Sequence, residues 1–163
     1  MKMIAAAAVL LAALALPAFG ATDTAKERMR QTLLYGIDSQ VLDAITSLSS
    51  ARDAGFTREL AQVLSDQRSP SLQKAVLDLF REQKLKDGEG RAKTILAGWQ
   101  DAPSDLLVSA IRYLTSLGSN GLAAGLAPLV DSTDSSVASA AIDGLGRAGD
   151  ASSVALRQET FRA

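Results

Sequence analysis

Apolar positions along this chain fall in a pattern that returns four times. The segments VLDAITSL (41–48), LQKAVLDL (72–79), LVSAIRYL (107–114) and ASAAIDGL (138–145) align without gaps. One column reads Ala44, Ala75, Ala110 and Ala141; the next reads Ile45, Val76, Ile111 and Ile142. Two further columns are Val41, Leu72, Leu107 and Ala138, and Leu48, Leu79, Leu114 and Leu145. The alanines recur at intervals of 31, 35 and 31 residues. Within each unit the apolar positions sit at i, i+4 and i+7, which is one face of a helix and not the alternation of a strand. An alanine beside the Ile/Val column allows a neighbouring helix to approach closely.

A second apolar stripe follows each of the first three segments. It reads Phe56, Leu60, Val63 and Leu64, then Ile95, Leu96 and Trp99, then Leu122, Leu126, Leu129 and Val130. The only tryptophan, Trp99, is therefore expected in the core. Punctuation agrees with helix pairs. Ser69 before Pro70 reads as an N-cap with proline at the first helical position. Gly118 reads as a helix stop, and Asp134 as an N-cap. Pro128 sits late in the third stripe and predicts an irregular second helix there. The small-xxx-small spacing of Gly121 and Gly125 predicts tight packing within the stack. Upstream, Met29, Leu33, Leu34 and Ile37 form the apolar face of one more helix over 21–37, with Lys26, Glu27, Arg30 and Gln31 opposite. A polar outer face is what the terminal unit of a stack requires.

LVDSTDSSVASAAIDGLGRAGDASSVAL (129–156) carries the strongest resemblance to a known family. An Asp-containing turn, Val137, Ala140-Ala141, Leu145-Gly146 and Gly149-Asp150 resemble the short HEAT repeats shared with phycobilin-lyase-type proteins. The usual arginine after the valine is Ala138 here. The resemblance spans about residues 38–163, with repeats near 38–66, 69–100, 103–131 and 134–163. It implies an all-α, right-handed α-solenoid of about four helix pairs, with the 21–37 helix as a cap. It implies no shared catalytic residues. In the family the second helices line the concave side, which makes Arg58, Glu59, Gln62, Arg91 and Thr94 the candidate protein-binding surface. The charged loop REQKLKDGEGR (81–91), with Gly88 and Gly90, is expected to be exposed and mobile.

The first twenty residues read differently. Lys2, an apolar run to Leu16, Pro17, and small residues at Ala18 and Gly20 have the layout of a Sec-type signal cleaved after Gly20. The run is shorter than the roughly 18 residues of a membrane span, so no stable span is expected after cleavage. The expected address is the periplasm or the exterior. Loss of Lys2 with the leader leaves 16 basic and 18 acidic residues, a net charge of −2. That balance argues against a nucleic-acid partner, whose phosphates require cationic neutralisation.

The chain has no Cys and no His. Disulfides, thiolate chemistry and a Ser-His-Asp triad are thereby removed. Gly144, Gly146 and Gly149 have the spacing of a dinucleotide turn, but such a turn needs a preceding strand and an acidic residue about twenty positions on. Helical spacing precedes Gly144 and too few residues follow. Gly149 is instead expected to end a helix in the left-handed conformation, with Gly144 and Gly146 admitting the next helix. Asp131, Asp134, Asp143 and Asp150 lack the close spacing of a calcium loop and read as turn residues and caps. No catalytic, cofactor or metal site is expected.

The expected function is that of an exported, non-catalytic scaffold or adaptor that binds another envelope protein. The alternative is an envelope enzyme or enzyme subunit, a carboxylate-based hydrolase or lyase-like protein on the same solenoid. The fourth repeat is the most regular, where an atypical terminal unit is the norm. The stack is therefore expected either to continue in a longer protein or to self-associate through this end.

Overall fold

A computed structural model describes the backbone of residues 19–66 and 68–160 and the side chains of 23–66 and 68–149. Among these residues all regular structure is helical. The elements are α1 (Phe19–Tyr35), α2 (Asp38–Ala51), α3 (Thr57–Ser65), α4 (Pro70–Gln83), α5 (Glu89–Ala97), α6 (Ser104–Leu117), α7 (Leu122–Leu126) and α8 (Ser135–Thr160). The expected leader lies outside the described residues except Phe19 and Gly20, which open α1.

The even-numbered helices pack side by side in chain order and form one layer. The odd-numbered helices form the other. Arg30 of α1 reaches Glu59 of α3. Gly88, at the head of α5, lies beneath Leu64 of α3, and Gly125 of α7 lies against Leu96 of α5. From α3 onward, each odd-numbered helix packs its backbone more closely on the long helix after it than on the one before. The tight pairs are α1–α2, α3–α4, α5–α6 and α7–α8, shifted by one helix from the pairing expected from the sequence.

The repeat columns supply a central part of the core, and Leu77, Phe80, Leu106, Val108 and Tyr113 on the same long helices add to it. Val41, Ile45 and Leu48, then Leu72, Val76 and Leu79, then Leu107, Ile111 and Leu114 are all buried. Burial of each such side chain contributes about 1.5–3 kcal/mol. The second stripes pack as expected: Phe56, Leu60, Val63, Leu64, Ile95, Leu96, Leu122, Leu126 and Leu129 are buried, and Trp99 and Val130 lie partly buried against them.

Helix ends follow the local chemistry. Gly118 stops α6 with φ of 64°. At the same stage α2 and α4 end on Arg52 (φ 52°) and Lys84 (φ 56°), which adopt the left-handed conformation without being glycine. Pro128 lacks the N–H that α7 would need, so the helix gives way to a 3-10 turn over Ala127–Leu129. On α1 the expected apolar face is only partly correct. Leu33 is buried and Met29 packs on the core, but the helix ends at Tyr35 and Ile37 is 66% exposed at the start of α2. Gly36 turns the chain before Ile37 can join that face.

The largest departure is α8. Two helices are expected over 134–163, separated at Gly149, but α8 runs unbroken from Ser135 to Thr160. The helix pair expected within 134–163 is therefore replaced by one helix, and Gly149 is not a helix end. The packing supplies the reason. Each preceding turn closes because the returning helix gains a long helix to rest on. No long helix follows α8 among the described residues for a returning helix to rest on. Backbone hydrogen bonding then carries the helix through three glycines, each costing roughly 0.5–1 kcal/mol relative to alanine. Gly144 has a packing role. A Cβ there would meet Leu126 Cδ1 at 2.6 Å and Thr115 Oγ1 at 2.9 Å, whereas nothing lies within 4 Å of one on Gly146 or Gly149.

The same missing neighbour opens one column. Ile111 faces α8 close to Gly144 and is fully buried, but its counterpart Ile142 is 55% exposed. Ile111→Ala should therefore cost about 2–5 kcal/mol in denaturant unfolding. Ile142→Ala should cost about 0.5 kcal/mol or less, as an ordinary surface change does. Equal costs would show that the outer face of α8 is covered.

Candidate interaction surface

The five residues expected to form a binding surface lie on α3 and α5, but two of them are used internally. Glu59 accepts a hydrogen bond from Arg30 Nε at 3.1 Å, and the Arg30 guanidinium lies 5.9 Å from the centre of the Phe56 ring. This contact ties α1 to α3. Glu59 retains 15% side-chain exposure, so little of it remains for a partner. Arg91 turns toward α4 and donates from Nε and Nη2 to Gln73 Oε1, at 3.0 and 2.9 Å. The other three remain exposed. Arg58 projects from α3, Gln62 donates to Asp66 at 2.7 Å, and Thr94 donates back to the Gly90 carbonyl at 3.1 Å. No hydrogen bond or ion pair joins any two of the five.

Arg91 belongs to a polar chain that crosses the starts of the long helices. Gln73 is buried and passes a hydrogen bond from its amide to the Arg68 carbonyl at 2.7 Å. Arg68 in turn donates to the Gly36 carbonyl at 2.7 Å and to Asp38 at 2.8 Å. The Ser69 hydroxyl bonds Asp38 as well and, with Arg68, holds its carboxyl below the usual range. Ser69 occupies the expected N-cap position of α4 but makes no capping hydrogen bond to its own helix. Its hydroxyl serves the neighbouring helix instead. A buried amide such as Gln73 is tolerated because both ends of it are satisfied.

A second tie holds the loop expected to be mobile. Arg81, Glu82 and Gln83 belong to α4, and Glu89, Gly90 and Arg91 to α5, which leaves a short connection over 84–88. Tyr113 of α6 is fully buried beneath it. Its hydroxyl donates to the Leu85 carbonyl at 2.8 Å and accepts from the Gly88 N–H at 3.2 Å. Burial pushes the phenol up to about 12. Gly88 is required there, since a Cβ would sit 2.9 Å from Phe80 Cδ2 and 3.3 Å from Leu64 Cδ1. The connection is thus clamped at its centre, and within it only Lys84, Lys86 and Asp87 are exposed.

Of the four acidic residues expected at turns and caps, Asp131 lies in the turn before α8 and Asp134 caps it, whereas Asp143 and Asp150 lie within α8 and are not turn residues. Asp134 accepts from the Ser136 N–H at 2.8 Å and the Val137 N–H at 3.4 Å, which caps α8. Hydrogen bonds from the Ser104 hydroxyl first, and then from Ser136, hold its carboxyl down at about 2. Among the described residues no three acidic side chains come together as metal ligands would. The glycine series in α8 is flanked on both sides by helix, not by the strand that a dinucleotide turn requires. No helix among the described residues is long and apolar enough to cross a membrane.

Tyr113, Gln73 and Arg68 were not legible as functional positions. Each sits in an ordinary helical or loop context, and its partner lies 5–32 residues away. No family model matches the chain, and no curated protein or solved structure matches it either. The fold defines an all-helical protein of two stacked helical layers, compatible with an α-solenoid.

Tyr113→Phe removes both hydrogen bonds and leaves the Leu85 carbonyl without its partner. It should cost about 1–3 kcal/mol and speed amide exchange at Gly88 selectively; unchanged exchange would show that the clamp is not a constraint. Asp134 is depressed in the folded chain, so its contribution is complete above 3.8 and is lost as pH falls toward about 2. The melting temperature of Asp134→Ala should lie below that of the parent at neutral pH and converge with it near the lower value. A constant gap across that range would refute the assignment.

Proposed function

We propose that the chain is an exported, non-catalytic scaffold or adaptor, built as a right-handed HEAT-type solenoid, that binds another envelope protein. The leader-like residues 1–20 support the address, and the four-fold column pattern supports the family. One observation carries the binding role. On α2, α4 and α6 the face formed by the Ile/Val and flanking columns is buried, whereas on α8 Ile142 is 55% exposed and Ala138 and Leu145 are only partly covered. An apolar face whose three counterparts each receive a helix is fitted to receive another. The exposed residues Arg58, Gln62 and Thr94 on the opposite layer offer a polar second surface.

A photo-crosslinking amino acid at Ile142, and in a separate variant at Gln62, tests this in the native envelope, with mass spectrometry of the adducts. A reproducible adduct to one other envelope protein at position 142 is expected, on a chain that begins at Ala21. Adducts at Gln62 alone would move the interface to the odd-numbered layer. Adducts only to a second copy of the chain, or none at either position, would overturn the adaptor reading.

A further inference from the structure

A cavity of about 240 Å³ lies in the seam between α6 and α8, away from both surfaces described above. Three arginines from three successive long helices line it: Arg81 of α4, Arg112 of α6 and Arg147 of α8. Among the described residues of its wall, Asp143 is the only acidic one. Arg112 and Arg147 are exposed and form no ion pair among the described residues, and Arg81 meets only Asp78, at 3.8 Å. Asp78 is itself held closer, at 2.9 Å, by Lys74. Among the described residues the wall therefore carries three positive charges against one negative, a local excess of two on a chain whose net charge is −1.

Thr115 also lines the seam, and its position is unusual. Three other helical threonines, Thr32, Thr46 and Thr94, donate to the carbonyl four residues back. The Thr115 hydroxyl does not; it is buried without a hydrogen-bond partner and lies against α8. Gly144 leaves room for it, since a Cβ there would approach Thr115 Oγ1 to 2.9 Å. An unsatisfied hydroxyl beside unpaired guanidinium groups is a donor set without an acceptor.

We infer that this seam binds a phosphomonoester group. Guanidinium forks match phosphate oxygens in geometry. A phosphomonoester carries about −1.5 to −2 at neutral pH, which matches the excess of two, whereas a carboxylate carries only one charge. The cavity admits the group together with water. The source is either a small soluble phosphate ester or a phosphate headgroup at a lipid surface, and both present the same chemistry. This inference does not rest on the adaptor reading: Arg147, the arginine that α8 contributes, and Ile142 occupy different faces of that helix, so the crosslinking above is independent of it.

Calorimetric titration of the purified chain with methyl phosphate tests the site, with acetate as comparison and phosphatidic acid vesicles as a second arm. Saturable binding of methyl phosphate is expected, at least about tenfold tighter than acetate. Arg112→Gln and Arg147→Gln should each weaken it about tenfold or more, as loss of a charged hydrogen bond does, while Arg58→Gln leaves it unchanged. Thr115→Val should weaken binding without lowering the melting temperature, and Thr115→Ser should retain it. Co-sedimentation with phosphatidic acid vesicles, but not with phosphatidylcholine vesicles, and displaced by methyl phosphate, assigns the headgroup source. Methyl phosphate binding without co-sedimentation assigns the soluble one. Absence of saturable methyl phosphate binding, or binding indifferent to both arginine substitutions, overturns the proposal.

Discussion

Sealing of each long helix by the next is the constraint on which the structure depends. Val41, Ile45 and Leu48 of α2 are buried only because α4 and its neighbours lie against them, and the same holds for Val76 under α6 and Ile111 under α8. In such a stack each unit contacts its nearest neighbours, so stability is close to a sum of local interfaces. The consequence is visible at α8, where no neighbour follows among the described residues. Ile142 is exposed, and the helix does not turn at Gly149. One missing interface thus changes both a side-chain environment and the course of the backbone.

Polar side chains set how the two layers are joined, and they act between elements far apart in the chain. Tyr113 fixes the α4–α5 connection from α6. The series Asp38, Arg68, Gln73 and Arg91 links the starts of α2 and α4 to α5. Arg30 and Glu59 join α1 to α3. The exposed ion pairs contribute little in energy, so their role is mainly geometric. The buried contacts weigh more, because Tyr113 and Gln73 lie away from water and an unmade bond there is costly. Two residues read as binding groups, Glu59 and Arg91, are occupied by this internal work.

The glycines show how one residue type takes on unrelated tasks. Gly118 accepts a left-handed turn that Arg52 and Lys84 adopt at the equivalent stage with a side chain present. Gly88 makes space for Phe80 and Leu64, and Gly144 for Leu126 and Thr115. Among the described residues nothing lies within 4 Å of a Cβ built on Gly146 or Gly149. Spacing alone suggests a nucleotide turn in the last three; their surroundings assign one to packing and leave two as weak points of a long helix.

Helical class, the positions of α2, α4 and α6, and the columns and second stripes of the core were legible in the sequence; Leu77, Phe80, Ala92, Leu106, Val108 and Tyr113, buried beside them, were not. Apolar periodicity is a local property: the stripe Leu107, Ile111 and Leu114 is present whether or not a partner helix is. Caps and stops such as Asp134, Gly118 and Pro128 were legible for the same reason, because their effect reaches only a few residues. Tertiary structure alone decided what depends on distant neighbours. It decided that each odd-numbered helix pairs with the long helix after it, that Ile37 and Ile142 are exposed, and that Gly149 lies within a helix. It also decided that Arg91 faces Gln73, and that Arg81, Arg112 and Arg147 meet around one cavity. A stripe in the sequence specifies a face that needs covering, and only the packed chain specifies whether something covers it.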